Sequence, residues 1–209
     1  FAKWRAVITI GEGIPTDGCI RGNASALAKY AKACQDAELV PIVEPEVLMD
    51  GDHTIETCYE VSEKTFKTVF EELENEGVHL PGILLKPNMV ISGKACPQQA
   101  GVEQVAQATT RCLKRRVPAA VPGIVFLSGG QSDELATAHL NEMNAMGDVP
   151  WELSFSYGRA LQESALKTWA GDATRVEAAQ RAYAHRARCN SAAIAGNYNA
   201  SLELELDNA

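Results

Sequence analysis

The segment Gly82–Pro87 has the sequence Gly-Ile-Leu-Leu-Lys-Pro, in which three aliphatic residues lead to a lysine and a proline ends the run. An apolar run of this kind is typical of a buried strand in a parallel sheet. Lys86 then stands at the carboxyl end of that strand, where burial disfavours the charged ammonium form. A neutral lysine amine attacks carbonyl groups to form a Schiff base. On this segment alone, the alternative is favoured: a strand-end lysine that extends its ammonium group into solvent.

Four other segments are also predicted to be strands that are apolar through their length. A helical segment follows each of the five strands. The order and spacing of these elements are typical of βα units in a parallel sheet. Five units form either an open doubly wound sheet or five-eighths of a (β/α)8 TIM barrel. The predicted strands begin near Ala2, Leu39, Gly82, Gly123 and Trp151.

Several element boundaries are predicted from residues that start or stop helices and strands. Gly11–Gly22 is rich in Gly, Pro and Asp, which predicts a loop and places the cap of the first helix at Asn23. Glu44-Pro45-Glu46 is predicted to end the second strand. Gly196 is predicted to end the last helix, which gives a barrel domain over residues 1–196 and a polar, mobile tail over residues 197–209.

Length and charge limit the classes of function. The 209 residues are enough for one domain with a substantial core. The net charge of -8 and the absence of a basic run argue against nucleic acid as the main partner. Phosphorylated ligands remain possible, because a few local cations and backbone amides suffice to hold them.

Three further sequence patterns indicate the redox compartment of the protein, whether it holds a metal ion and whether it crosses a membrane. The six cysteines form no C-x-x-C pair and are interpreted as reduced thiols of a cytoplasmic protein. Asp50–His53 resembles part of a metal loop but lacks the remaining ligands, so a turn is favoured and no metal site is predicted. No apolar run approaches the ~20 residues of a membrane helix, so no membrane partner is predicted.

Polar residues lie at the carboxyl ends of the predicted strands, except in the first strand, where two cations lie within the run. In a TIM barrel these ends meet around one mouth, whereas an open sheet brings together only the ends at its switch point. Contributions from all five strands therefore favour the barrel. The residues are Lys3, Arg5, Glu44, Glu46, Lys86, Ser128, Gly129, Gly130, Gly158 and Arg159.

These side chains form a coherent chemistry if they converge. Lys3 provides a cationic neighbour that further favours the neutral amine of Lys86, and the carboxylates of Glu44 and Glu46 can move protons during dehydration of a carbinolamine. The Ser128–Gly130 amides and the guanidinium of Arg159 suit a phosphate. Taken one at a time, a solvated turn at Glu44–Glu46 and a tight loop at Ser128–Gly130 are the favoured interpretations.

Five segments, in order and at the expected spacing, resemble the class I fructose-1,6-bisphosphate aldolases. The resemblance extends from Phe1 to about Tyr198. It implies a (β/α)8 TIM barrel of which this chain carries strands 4–8. The segments are Phe1–Arg5, Val40–Glu46, Leu84–Met89, Phe126–Ser132 and Phe155–Ala160.

The resemblance also implies an activity and residue roles. The activity is reversible cleavage of fructose 1,6-bisphosphate to dihydroxyacetone phosphate and glyceraldehyde 3-phosphate in glycolysis, through a Schiff base and without a metal or other cofactor. It assigns Lys86 as the Schiff-base lysine, Glu44 as the acid/base on the carbinolamine, and Lys3 as a substrate contact. Glu46 supports Glu44, and Arg5 faces the second phosphate. A cytoplasmic homotetramer is implied, and the first phosphate is assigned to Ser128, Gly129, Gly130, Ser156, Gly158 and Arg159.

The chain departs from the family pattern at both ends. The family has three further βα units before the segment that resembles Phe1–Arg5, including an aspartate and a lysine used in catalysis, and a C-terminal tyrosine. Five strands alone are expected to leave two exposed sheet edges. A competing hypothesis is therefore a non-catalytic fragment that binds sugar phosphates or proteins without turnover. A transaldolase-like lyase would explain Lys86 but not two phosphate sites.

Overall fold

The computed structural model describes residues 1–208, with residues 205–208 described as backbone only. Strands and helices alternate along this part of the chain. The strands are β1 (Ala2–Ile8), β2 (Pro41–Val47), β3 (Leu84–Leu85), β4 (Gly123–Phe126) and β5 (Glu152–Phe155). The helices are α1 (Asp17–Asp36), α2 (Ile55–Asn75), α3 (Val102–Arg116), α4 (Asp133–Met146), α5 (Arg159–Trp169) and α6 (Val176–Ile194).

The five strands form one parallel sheet in the order β1-β2-β3-β4-β5. This consecutive order has no switch point, which distinguishes a barrel segment from a doubly wound sheet. The predicted fold class is confirmed. Within residues 1–208 no strand pairs with the outer side of β1 or β5, so the five units form an open arc of the barrel wall with two free edges.

Strand β2 is buried at every position from Pro41 to Val47, because β1 and β3 flank it and helices cover it. The prediction that Glu44-Pro45-Glu46 ends this strand is wrong. Pairing with β1 continues to Val47, whereas pairing with β3 stops at Val43. Pro45 has no N–H to donate, so it is tolerated where β2 no longer needs a bond from the β3 side.

Helix α1 begins earlier than the sequence predicted. Its N-cap is Thr16, whose side chain accepts a hydrogen bond from the Cys19 N–H at 3.2 Å. Asn23 lies inside the helix, and its side-chain amide donates to the Cys19 carbonyl at 3.0 Å. The two glycines of this segment are tolerated because Ile20 and Ala24 are buried against the sheet, so packing outweighs their low helix propensity.

The later elements follow the sequence closely. Helix α3 ends in the three basic residues Lys114–Arg116, which suit the negative end of the helix dipole, and Ser132 caps α4 by accepting from the Leu135 N–H at 3.2 Å. The last helix is preceded by a short 3-10 turn at Ala173–Arg175. Within the segment predicted to be a mobile tail, Ala200–Asn208 form a 3-10 helix, and Glu203 binds Arg186 of α6.

The core lies between the sheet and the helices that cover it. All six cysteines are free thiols; Cys19 is exposed and the other five are buried. No helix within residues 1–208 has both the length and the apolarity to cross a bilayer.

Candidate active site

The Glu44 carboxylate lies between two lysine ammonium groups. Its Oε2 atom is 2.9 Å from Lys3 Nζ, and its Oε1 atom is 3.3 Å from Lys86 Nζ. Glu44 is only 3 % exposed and the Lys86 side chain 12 %, whereas the Lys3 side chain is 41 % exposed. The structure therefore brings three of the predicted site residues together, from three different strands or strand ends.

A second ion pair continues the same face of the sheet. Arg5 binds Glu46, and the hydrogen bond to this carboxylate raises the pKa of the Arg5 guanidinium. In the β1–β2 register Arg5 is opposite Glu44, so each cation of β1 pairs diagonally with a carboxylate of β2. Glu46 is also buried, which excludes the solvated turn that Glu44–Glu46 suggested in isolation.

Backbone hydrogen bonds place the other predicted site residues along the same rim. The Lys86 N–H donates to the Val43 carbonyl at 2.8 Å, and the Leu127 N–H donates to the Pro87 carbonyl at 3.1 Å. One strand further, the Ser156 N–H donates to Phe126 at 2.9 Å. Each junction is thus about 4.8 Å, one strand spacing, from the next.

The glycine loop, defined as Ser128–Gly130, follows β4 directly. Gly129 and Gly130 have φ of 62° and 90°, a backbone conformation that residues with a side chain disfavour. Ser128 is buried. Turns of this kind are among the backbone structures that offer N–H groups to anions.

Arg159 faces the glycine loop from the start of α5. Its Nη2 atom lies 3.1 Å from the point that a Cβ atom on Gly130 would occupy. Gly158 caps α5, and a Cβ there would meet no heavy atom within 4 Å, so the space beside it is open. Among residues 1–204, whose side chains the structure describes, none pairs with the Arg159 side chain in a hydrogen bond or ion pair. The start of α5, the glycine loop and the Arg159 guanidinium thus lie close together, and all three are groups that suit an anion.

One set of potential metal ligands converges within the described residues, away from these strand ends. Donor atoms of His185, Cys189 and Glu203 lie within 4.8 Å of one another. Burial raises the pKa of the Cys189 thiol, and the Arg186 guanidinium already binds Glu203. Although burial opposes it, hydrogen bonds from Tyr198 and Arg186 lower the pKa of Glu203. The cluster is therefore a buried ion-pair network of α6.

Comparison with known proteins gives a consistent result. The family model described as "Fructose-bisphosphate aldolase class-I" matches residues 1–208. A probable fructose-bisphosphate aldolase class 1 from Xanthomonas campestris is 59% identical over 199 residues, which are 95% of this chain and 60% of that protein. Human fructose-bisphosphate aldolase B is 54% identical over 95% of this chain and 55% of its own length.

The chain belongs to the class I fructose-bisphosphate aldolase family. A solved structure of the fructose-bisphosphate aldolase from Plasmodium falciparum, in complex with TRAP and a small molecule inhibitor, has a TM-score of 0.93 and 51% sequence identity. It covers 95% of this chain, and the chain covers 58% of it. This aldolase chain thus spans little more than half the length of the relatives it matches.

Sequence reasoning missed two residues that support the glycine loop of this aldolase chain. The buried side-chain amide of Gln131 donates to the Ser128 carbonyl at 2.9 Å, and its Oε1 atom lies 2.6 Å from His139 Nδ1. Since the Gln131 amide nitrogen already donates to Ser128, the Nδ1–H of His139 donates to Oε1. Burial lowers the pKa of His139 to about 4, so its ring is neutral at pH 7.

Asn88 is a third residue that sequence reasoning missed. Its Oδ1 atom accepts from the Val47 N–H at 2.9 Å, and its amide nitrogen donates to Ser62 Oγ at 3.1 Å. Asn88 therefore fixes the end of β2, which carries the two carboxylates, to the chain that follows Lys86. Its sequence signal was its position in the Leu84–Met89 segment; its partners depend on the folded chain.

Proposed function

We propose that the protein carrying this chain is a class I fructose-bisphosphate aldolase that cleaves fructose 1,6-bisphosphate reversibly through a Schiff base on Lys86. The observation that carries the proposal is the 3.3 Å contact between Lys86 Nζ and the buried carboxylate of Glu44. A buried amine next to an acid/base group is the arrangement that a carbonyl-attacking lysine requires.

Proton transfers between Lys86 and Glu44 accompany formation of the Schiff base. Glu44 takes a proton from the Lys86 ammonium group, and the neutral amine that results attacks the ketone carbon of the substrate. One proton of the attacking nitrogen moves to the carbonyl oxygen, which completes the carbinolamine. Glu44 then gives a proton to the hydroxyl group, which leaves as water, and the nitrogen lone pair forms the iminium. Lys3 contacts the same carboxylate at 2.9 Å, so its positive charge offsets the cost of burying Glu44.

The iminium then serves as the electron sink for carbon–carbon cleavage. The bond between C3 and C4 breaks, its electron pair moves toward the iminium to give an enamine, and the C4 hydroxyl loses its proton to a base. The products are glyceraldehyde 3-phosphate and, after protonation and hydrolysis of the enamine, dihydroxyacetone phosphate. Glu46 and Arg5 form the ion pair next to Glu44 and hold that face of the sheet in place.

Two anion sites bind the substrate. The glycine loop, Ser156, Gly158 and Arg159 bind the phosphate on the dihydroxyacetone side. Arg5, which is half exposed at the outer side of the same face, contacts the other phosphate. Because the amine and the glycine loop come from adjacent strand ends, a ketone held by its phosphate presents its carbonyl near Lys86.

The proposal also covers the cofactor, the cellular compartment and the oligomeric state. The reaction uses no metal or organic cofactor, because the Schiff base supplies the electron sink. The six free cysteines are consistent with a reducing compartment, and we place the protein in the cytoplasm, in glycolysis and gluconeogenesis. A homotetramer is expected from the family resemblance.

Borohydride trapping tests the proposal directly. The protein carrying this chain, incubated with dihydroxyacetone phosphate and borohydride, should gain one reduced adduct on Lys86, located by peptide mass spectrometry. Lys86→Arg keeps the charge but should lose both the adduct and cleavage. Lys64→Arg is the control and should retain both, because Lys64 of α2 only forms an exposed ion pair with Asp17 of α1.

Three outcomes would contradict the proposed function. An unlabelled Lys86 in the wild-type protein would remove the Schiff base. Activity that disappears with EDTA and returns with a divalent cation would indicate the metal-dependent class instead. A labelled Lys86 without cleavage of fructose 1,6-bisphosphate would support the competing view that this chain binds sugar phosphates without turning them over.

A further inference from the structure

A lysine outside the predicted site is held rigidly beside the glycine loop. The segment around Lys94 is bonded to the connection between β2 and α2 by three backbone hydrogen bonds. They run from Gly93 N to His53 O at 2.8 Å, from Lys94 N to Met49 O at 2.7 Å and from Ala95 N to Gly51 O at 2.8 Å. A Cβ on Gly93 would lie 2.5 Å from the Gly51 oxygen, so the close approach requires glycine there.

The ammonium group of Lys94 converges with Arg159. Lys94 Nζ lies 2.9 Å from the point that a Cβ on Gly130 would occupy, and Arg159 Nη2 lies 3.1 Å from the same point. Two cations from different loops therefore face the same small space above a glycine that lacks a side chain to fill it. Such a preformed pair favours a ligand with more than one negative charge.

Among the residues whose side chains are described, Asp50 is the one carboxylate that pairs with either of these two cations. Asp50 Oδ1 lies 3.2 Å from Lys94 Nζ, and the Asp50 side chain is 63 % exposed. An ion pair this exposed is weak, because solvent screens it. Asp50 therefore orients Lys94 in the free protein without neutralising the pair of cations, and an incoming dianion competes well for the ammonium group.

We infer that Lys94 is an additional phosphate-binding residue, which acts with Arg159 and the glycine loop on the phosphate of the ketone that reacts with Lys86. The inference rests on the proposed function and deepens it. It makes Lys94 a specificity residue: it distinguishes phosphorylated ketones from the same ketones without phosphate, and it acts on binding and not on the chemistry at Lys86.

The test compares two ketones and four proteins. Dihydroxyacetone phosphate and dihydroxyacetone are titrated against wild type, Lys94→Met, Lys94→Arg and Lys114→Met, and borohydride-trapped Lys86 is quantified. Lys114 is a matched control, since its side chain is 41 % exposed against 42 % for Lys94 and it also pairs with an aspartate. Methionine removes the charge but keeps an unbranched apolar side chain.

We expect Lys94→Met to raise the half-saturating concentration of dihydroxyacetone phosphate about tenfold, equivalent to about 1.4 kcal/mol. Maximal labelling and the titration with unphosphorylated dihydroxyacetone should not change. Lys94→Arg should restore most of the affinity, and Lys114→Met should match wild type.

Two kinds of result would overturn the inference, and they are distinguishable. An unchanged half-saturating concentration in Lys94→Met, or an equal rise for both ketones, would overturn the role of Lys94 while leaving Lys86 labelling intact. Failure to label Lys86 in the wild-type protein would overturn the proposed function, and this inference with it.

Discussion

The buried ring of His139 is expected to make the protein less stable as the pH falls from 6.5 to 4. Burial lowers the pKa of His139 from 6.5 to about 4. Between pH 6.5 and 4 this histidine binds a proton in the unfolded chain but stays neutral in the folded protein. The free energy of unfolding therefore decreases as the pH is lowered. A difference of this size corresponds to about 3 kcal/mol once the pH is below 4.

Urea unfolding at a series of pH values between 7.5 and 4.0 measures this effect in wild type and in His139→Gln. Glutamine offers an amide donor to Gln131 but does not titrate, so the variant should lose less stability over this range than wild type, by up to about 3 kcal/mol. His79→Gln, at an exposed histidine, is the control and should behave as wild type. Parallel pH dependence of wild type and His139→Gln would refute the reasoning.

Three further substitutions address the acid/base group, the anion site and the strand end. Glu44→Gln should lower kcat by at least about 100-fold with a smaller change in KM, because it removes proton transfer; a steady-state assay in which kcat is unchanged would contradict this role. Gly130→Ala should raise KM for fructose 1,6-bisphosphate and lower stability by about 1–2 kcal/mol, because its Cβ would lie 2.9 Å from Lys94 Nζ at a φ of 90°; an unchanged KM would count against the anion site. Asn88→Ala should cost about 1–3 kcal/mol in urea unfolding, since the Val47 N–H loses its acceptor; wild-type stability would show that this bond is dispensable.

The sequence was informative wherever a signal is local. Apolar runs located all five strands, because a strand covered on both faces is apolar along its length. The start of α1 was missed because the glycines near Asn23 suggest a loop. There, burial of Ile20 and Ala24 outweighs local propensity, which no sequence window contains.

In the candidate site, too, local features were predictable and contacts between distant segments were not. That Lys86 and Ser128 follow strand ends was predictable, because parallel strands bring their carboxyl ends to one side. Glu44 lies inside β2 instead, so its strand-end position was predicted wrongly although its side chain still meets Lys86. The support of the glycine loop by Gln131 and His139 was not, since it depends on a contact between a loop and the middle of a helix. Lys94 gave no signal either, because its position depends on hydrogen bonds between two loops that are distant in sequence.

The two cations of β1 also bear on the stability of the site. Lys3 and Arg5 are nearly half exposed, although each binds a buried carboxylate of β2. Removing one partner of such a pair leaves a buried charge without compensation, which strongly destabilises a folded protein. The two residues assigned to substrate therefore also make the burial of Glu44 and Glu46 tolerable, so replacing both would endanger folding together with catalysis.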